Sequence, residues 1–165
     1  MWVRDYLRDR RVHFEALLHH PAGSAARVAH CLHVSGNQVA KGVLLRADSG
    51  YLLAVLPATH RIDLALLAES LRSERLEVAD EDEVERVFHD CQPGALPPFG
   101  HLYGLRTIVD PSLAKSAEIV LEGNTRHEGL RMRYRDYEAI ESPALASFAV
   151  PIAPSRRYSE SRASN

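Results

Sequence analysis

Apolar positions recur along this chain with two spacings, and the densest run, Gly36 to Asp63, organises the rest. Read at period two, Val39, Gly42/Val43 and Leu44 to Leu45 predict one strand and Tyr51 to Leu56 a second, with Asp48-Ser49-Gly50 as turn chemistry between them. Both strands are almost continuously apolar, which a sheet with one wet face would not need. The hairpin is therefore expected at the centre of the sheet, covered on both sides. One residue breaks the run, Lys41.

The flanking pattern alternates between helix and strand. Val3 to Arg10 reads as a short amphipathic helix with Tyr6 and Leu7 inward, and Val12, Phe14, Ala16 and Leu18 as a strand ending at His19-His20-Pro21. Ser24 is placed to cap a helix whose inner face is Ala25, Val28, Ala29 and Leu32. Asp63 can cap another, carrying Leu64, Leu67, Ala68 and Leu71. Arg75 to Ala79 predicts a short strand, and Asp80 with Glu83 resembles a capping box before Val84, Val87 and Phe88. Strands follow at Arg106 to Val109 and Ala117 to Leu121, separated by a turn at Asp110-Pro111-Ser112-Leu113. After a turn at Gly123-Asn124, Leu130, Met132 and Tyr134 alternate with Arg131, Arg133 and Arg135, a strand with one basic face closed by a short helix from Asp136 to Glu141.

Both periodicities stop at Cys91 to Gly104, CQPGALPPFGHLYG, where three prolines and three glycines fall in fourteen residues. Such a segment is a rigid, irregular loop and a natural wall for a small-ligand pocket. Strands at both ends and the centre, with interleaved helices but no regular βαβ rhythm, predict an α+β fold: a mixed, curled, barrel-like sheet with flanking helices. One domain is expected over residues 1–150, with an Arg/Ser-rich disordered tail over 151–165.

Composition narrows the function classes. A formal net charge of −2 argues against bulk electrostatic binding of nucleic acid, so any RNA partner must be met by a local basic patch. The start, MWVRDYLRDRR, is too charged for a signal peptide and no apolar run reaches bilayer length, so a cytoplasmic location and no membrane partner are expected. Cys31 and Cys91 form no CxxC pair, and the nine histidines show no ligand spacing. Neither a metal nor another cofactor is expected.

Lys41 is conspicuous because only two of the twenty cations are lysines, Lys41 and Lys115. Where a generic positive charge suffices, this chain uses arginine. A lysine in a buried hairpin suits a compact ammonium snorkelling to a cavity rim to meet a small ligand's oxygen; the alternative is a strand residue with its head in solvent.

The segments PAGSAARVAHCLHV, GNQVAKGVLLRADSGYLLAVLPATHRIDLALL, PGALPPFG and IVDPSL, in that order, resemble the YbaK / prolyl-tRNA-synthetase-associated domain family of aminoacyl-tRNA editing deacylases. The likeness runs from about Val12 to about Arg135. It maps the family's hairpin lysine onto Lys41, its GxxxP loop onto Gly94 and Pro98 followed by Phe99-Gly100, and its aspartate after a strand onto Asp110. A histidine after a Gly-Asn turn is similarly placed at His127. Residues from Arg126 to Val150 and the Arg-rich tail depart from the family pattern.

The resemblance implies hydrolysis of the ester joining an amino acid to the terminal ribose of tRNA. It implies catalytic roles for Lys41, Gly94 and Gly100, and substrate contacts from Pro98, Phe99, His101, His127 and Asp110. The last is held as structural support. The expected substrate is a small amino acid such as alanine or cysteine on tRNA, tRNA-Pro in particular, with an aminoacyl-tRNA synthetase as a further partner. Arg131, Arg133 and Arg135 would meet acceptor-stem phosphates or simply form a solvated strand face. No nucleophile elbow or Ser–His–Asp order is present. An activated ester needs only an oriented water and a stabilised oxyanion, part of it supplied by the substrate itself in this family. Lys41 and the proline-bounded bend are expected to face one another across a shared hollow. The rival reading is a binding module on the same fold, holding an aminoacyl end or a nucleotide without cleaving it.

Overall fold

The structure, a computed structural model, describes residues 1–153. Among these residues five α-helices form: α1 (Val3–Asp9), α2 (Ala25–Cys31), α3 (Leu64–Leu71), α4 (Glu81–Val87) and α5 (Tyr134–Glu141). The strands are β1 (Glu15–Leu18), β2 (Val39–Ala47), β3 (Gly50–Pro57), β4 (His60–Ile62), β5 (Leu76–Val78), β6 (Arg106–Val109), β7 (Glu118–Glu122), β8 (Glu128–Arg133), β9 (Ala144–Leu145) and β10 (Ala149–Pro151). The main sheet runs β1-β8-β7-β2-β3-β6-β9, with β5 added to β2, while β10 and β4 form a separate pair. The fold is mixed α+β, as the pattern predicts. Among the described residues the sheet is not closed, its order ending at β1 and β9, so the strand pairing does not establish the expected curled, barrel-like form.

The hairpin β2–β3 is central and antiparallel, in unbroken register from Ala40↔Pro57 to Ala47↔Gly50. That register divides its side chains between two faces. On the first, Ala40, Leu44, Leu53 and Val55 join α1, Phe88, Phe99 and Tyr137 in the largest apolar cluster. The second carries two clusters. Leu45, Leu52, Ala54 and Leu56 pack with Leu67 of α3 and with Phe148. Val39 and Val120 pack with Val28 and Ala29 of α2. The expected double coverage is thus met by different elements on each side.

Capping follows the predicted chemistry. Ser24 accepts the Arg27 N–H and Asp63 the Leu66 N–H, while Asp80 and Glu83 form a reciprocal capping box at α4. Three boundaries differ from the pattern. β1 starts at Glu15 instead of Val12, because Arg11 adopts a left-handed φ of 56° and the Val12 N–H closes α1 on the Leu7 carbonyl. The basic strand stops at Arg133: the Tyr134 N–H bonds the Ala117 carbonyl and the chain turns into α5 at once. Tyr134 still faces the core, so inward alternation outlasts the ladder. The start of the expected tail pairs with the fold, Pro151 opposite His60 and the Ile152 N–H on the Thr59 carbonyl; the rest lies outside the described residues.

Candidate functional site

Strand β2 has a divided edge. Its first residues pair in parallel with β7, Val39↔Val120 and Ala40↔Leu121, and its last three pair with β5. Lys41 to Val43 lie in the split between these neighbours, the Leu44 carbonyl already accepting the Ala79 N–H at 3.0 Å. Alternation puts Lys41 on the second face, after Val39 of the α2 cluster and before Val43, which packs on the α3 cluster. Lys41 therefore occupies the seam where two apolar patches meet, half-buried, and burial lowers the pKa of its ammonium. Among the described residues the β2–β7 pairing ends at Ala40↔Leu121, and Glu122 closes β7 opposite Gly129 of β8.

Glu122 is where the irregular loop docks. The Leu96 N–H donates to Glu122 Oε2 at 3.2 Å, and the Leu96 side chain reaches the first face, where a Cβ on Gly42 would stand 2.5 Å from Leu96 Cδ2. The loop thus packs on the first face of β2 at Gly42, across the strand from the face that carries Lys41. Burial raises the Glu122 pKa, opposed by the Leu96 N–H and the nearby Arg126 guanidinium. Gln92 ties the same part of the loop to the β7–β8 turn, donating its N–H to the Asn124 carbonyl at 2.8 Å and accepting the Arg126 N–H at 3.0 Å. Gly94 has φ +86°, and Arg126 Nε lies 3.6 Å from where its Cβ would be. With Pro93, Arg126, Ala79, Glu81, Val84 and Glu85, Gly94 lines a cavity of about 350 Å³. Lys41 is not among those lining residues, so the Gly94 cavity is not the hollow expected between Lys41 and the proline-bounded bend; the loop meets the lysine strand through Leu96 and Gly42, on the face opposite Lys41.

The loop's second half is anchored elsewhere. The Tyr137 hydroxyl donates to the Pro98 carbonyl at 2.8 Å, and Phe99 is fully buried, edge-on to Tyr6 and Tyr137. The Gly100 N–H donates to Thr107 Oγ1 at 3.2 Å, and the His101 N–H to Glu141 Oε1 at 3.1 Å. Glu141 is buried and also receives the Thr107 hydroxyl, and desolvation raises its pKa. The His101 ring is exposed, 3.7 Å from Glu141 Oε2. Pro98, Phe99, Gly100 and His101 thus hold the loop in place through the core.

Asp110 follows β6 on the second face, where parallel pairing of β3 with β6 places it next to Leu56, the partner of Lys41. Its oxygens are occupied by the Ser112 N–H and hydroxyl and by the Phe148 and Ala149 N–H groups. Desolvation would raise its pKa, but these bonds together hold it below the ordinary value. Asp110 fastens β6 to the Ser112 turn and to the Phe148–Ala149 segment. His127 is exposed, and its carbonyl accepts the His19 N–H at 2.9 Å. Arg131 pairs with Glu15 at 3.0 Å. Arg133 and Arg135 border a cavity of about 580 Å³ with Tyr134 and Glu118. The expected single basic strand face is divided, since Arg135 belongs to α5.

The aminoacyl-tRNA editing domain pattern matches residues 19–140. The chain belongs to that family. Its members' partner is aminoacyl-tRNA, and the match spans the lysine strand, the loop and Asp110. Solved structures share the fold of this editing domain. The crystal structure of a proposed trans-editing enzyme for prolyl tRNA synthetase superposes with a TM-score of 0.80 at 21% identity, covering 90% of this chain and 94% of that one. A hypothetical protein gives 0.81 at 19%, covering 90% and 99%. A proposed signal transduction protein from Marinobacter aquaeolei VT8 gives 0.69 at 24%, covering 90% of this chain but 30% of that one. No curated protein sequence matches the chain at a significant level. Among the described residues, no helix is long and apolar enough to cross a membrane, and no group of three or more His, Cys, Asp or Glu side chains could hold a metal ion.

Two residues that meet the Pro/Gly loop escaped the sequence reading, Glu122 and Arg126. The signal for Glu122 was present: a carboxylate ending the apolar run Ile119-Val120-Leu121 is the same anomaly that singled out Lys41. Arg126 is one arginine among many and becomes informative only when the loop sets Gly94 beside it.

Proposed function

We propose that the protein is a free-standing editing deacylase acting in trans, cleaving the ester of a small amino acid such as alanine or cysteine on tRNA, with tRNA-Pro as the expected acceptor. The observation that carries this reading is the half-buried Lys41 in the split of β2, with the Gly94–Pro98 loop docked from the other face on the neighbouring Gly42. Family membership supports it.

The chemistry asks little of the protein. Water adds to the ester carbonyl, the tetrahedral oxyanion collapses, and the ribose oxygen leaves with a proton. Among the described residues the Gly94 N–H makes no hydrogen bond, whereas the Ala95 N–H is held by the Gln92 carbonyl and the Leu96 N–H by Glu122. The Gly94 amide is therefore the loop's free donor for the oxyanion, and three prolines keep it from collapsing inward. Lys41 holds a ribose or phosphate oxygen of the terminal adenosine on the seam. Arg133 and Arg135 supply exposed charge for acceptor-stem phosphates.

The test is deacylation of alanyl-, cysteinyl-, seryl- and prolyl-tRNA by the wild type and Lys41→Ala. Turnover of the first two that vanishes in the variant is the expected result. Tight binding without turnover would replace the enzyme by a binding module.

A further inference from the structure

An aminoacyl ester differs from other esters of the same ribose in one charged group, its free α-ammonium. The site described so far holds donors: the Lys41 ammonium, the Gly94 N–H and the Arg126 guanidinium. Cationic donors do not receive an ammonium, so a site selective for aminoacyl ends needs an acceptor with an oxygen to spare. Asp110 has none, since four donors fill it.

Glu122 has one. Its Oε2 takes the Leu96 N–H, while Oε1 takes no hydrogen bond among the described residues. Nor is Oε1 a sealed, unpartnered buried atom of the kind found at Glu141 Oε2. The carboxylate is bonded to the loop that carries Gly94, and the Arg126 guanidinium that borders Gly94 is the charge acting on it. No ion pair within 4.0 Å joins Glu122 to Arg126 or Lys41 among the described residues. We infer that Glu122 Oε1 is the receptor for the substrate's α-ammonium group, so that the site takes aminoacyl ends and rejects N-acylated ones.

Two features reinforce the geometry. Burial disfavours the Glu122 carboxylate, and an arriving cation relieves that cost. The Leu96 bond makes the receptor part of the loop's own docking, so ammonium capture and placement of the Gly94 N–H are coupled. The inference rests on the editing reading for its substrate, but binding tests it separately from catalysis.

The probes are 3′-alanylamino-3′-deoxyadenosine, whose amide resists hydrolysis, and its N-acetyl derivative, titrated against the full chain. The wild type is expected to bind the free amine at least about tenfold more tightly. Glu122→Gln, which retains an acceptor for the Leu96 N–H, is expected to bring the ratio to about one by weakening only the free amine. Arg126→Ala, which removes a competing cation from an exposed position, is expected to widen it. Equal wild-type affinities, an unchanged ratio in Glu122→Gln, or binding of neither probe overturns the inference. Discrimination without hydrolysis of any aminoacyl-tRNA sinks the deacylase reading and leaves the receptor standing; hydrolysis with no discrimination does the reverse.

Discussion

Gly42 and Leu96 meet with no room for a side chain between them: a Cβ on Gly42 would lie 2.5 Å from Leu96 Cδ2 and 3.3 Å from Leu53 Cδ1. The central strand thus accepts the loop only because residue 42 is glycine. Gly42→Ala should push the loop off the split, destabilising the fold by about 1–2 kcal/mol and lowering kcat/KM for alanyl-tRNA more than the stability loss explains. Leu96 supplies the clash through a flexible side-chain end, so Leu96→Ala in the same chain should restore much of both. A double-mutant cycle on denaturation midpoints and turnover measures that coupling.

Two glycines of the loop, Gly100 and Gly94, should separate structure from chemistry. Gly100 is closed in, since an added Cβ would stand 2.2 Å from Thr107 Oγ1 and 3.0 Å from the Leu105 carbonyl oxygen. Its replacement by alanine should cost about 3 kcal/mol. Gly94 has open surroundings and a φ of +86°, so alanine there meets backbone strain of about 1–2 kcal/mol and no collision worse than 3.6 Å. Gly94→Ala is expected to be the milder variant in urea unfolding and the more damaging one in deacylation, because it reorients the free amide.

The central hairpin, the caps and the Pro/Gly loop could all be read from local pattern, because apolar period, turn residues and capping side chains act within a few positions of themselves. The pairing of β5 and β7 on one edge of β2 could not. Leu76–Val78 and Glu118–Glu122 carry no mark of which strand they join, so the split holding Lys41 is a tertiary result. Lys41 was visible as a charge out of place. Glu122 carried the same mark, but its partner, the Leu96 N–H, is set only by the docking of the loop. Phe99 was the opposite case: next to a functional-looking glycine it reads as a pocket wall, and the fold uses it as a core ring.

Asp110 ties the end of β6 to the 3-10 turn at Pro111–Lys115 and to Phe148 and Ala149 ahead of β10. Asp110→Asn presents an amide N–H₂ where N–H donors already point, and should cost about 3 kcal/mol. The pH dependence has a definite sign. Because the folded-state pKa lies below the ordinary 3.8, the carboxylate's stabilisation is complete above that value and is lost as pH falls through the folded one. The wild type should lose stability below pH about 4 more steeply than Asp110→Asn. Urea midpoints from pH 2 to 7 for both proteins check this, and parallel curves would remove Asp110 from the linkage.

Lys41 gives the sharpest separation of stability from function. Its ammonium lies on a seam between two apolar clusters, and burial is the cause of its lowered pKa. Below the folded pKa the chain therefore carries a charge it would be more stable without, and that cost fades as pH rises through the folded value toward the ordinary 10.5. Lys41→Met fills the same seam with an uncharged chain of similar length. It should hold or raise the melting temperature at pH 7, remove a rise in stability that the wild type shows on the alkaline side, and abolish deacylation. Arginine would keep the charge but brings a planar, broader head group, so Lys41→Arg should retain less than about a tenth of the wild-type rate. A methionine variant that is stable, binds the non-hydrolysable probe weakly and turns over nothing shows that the lysine is kept for the ligand. A variant that unfolds at lower temperature while hydrolysing normally assigns it to the scaffold instead.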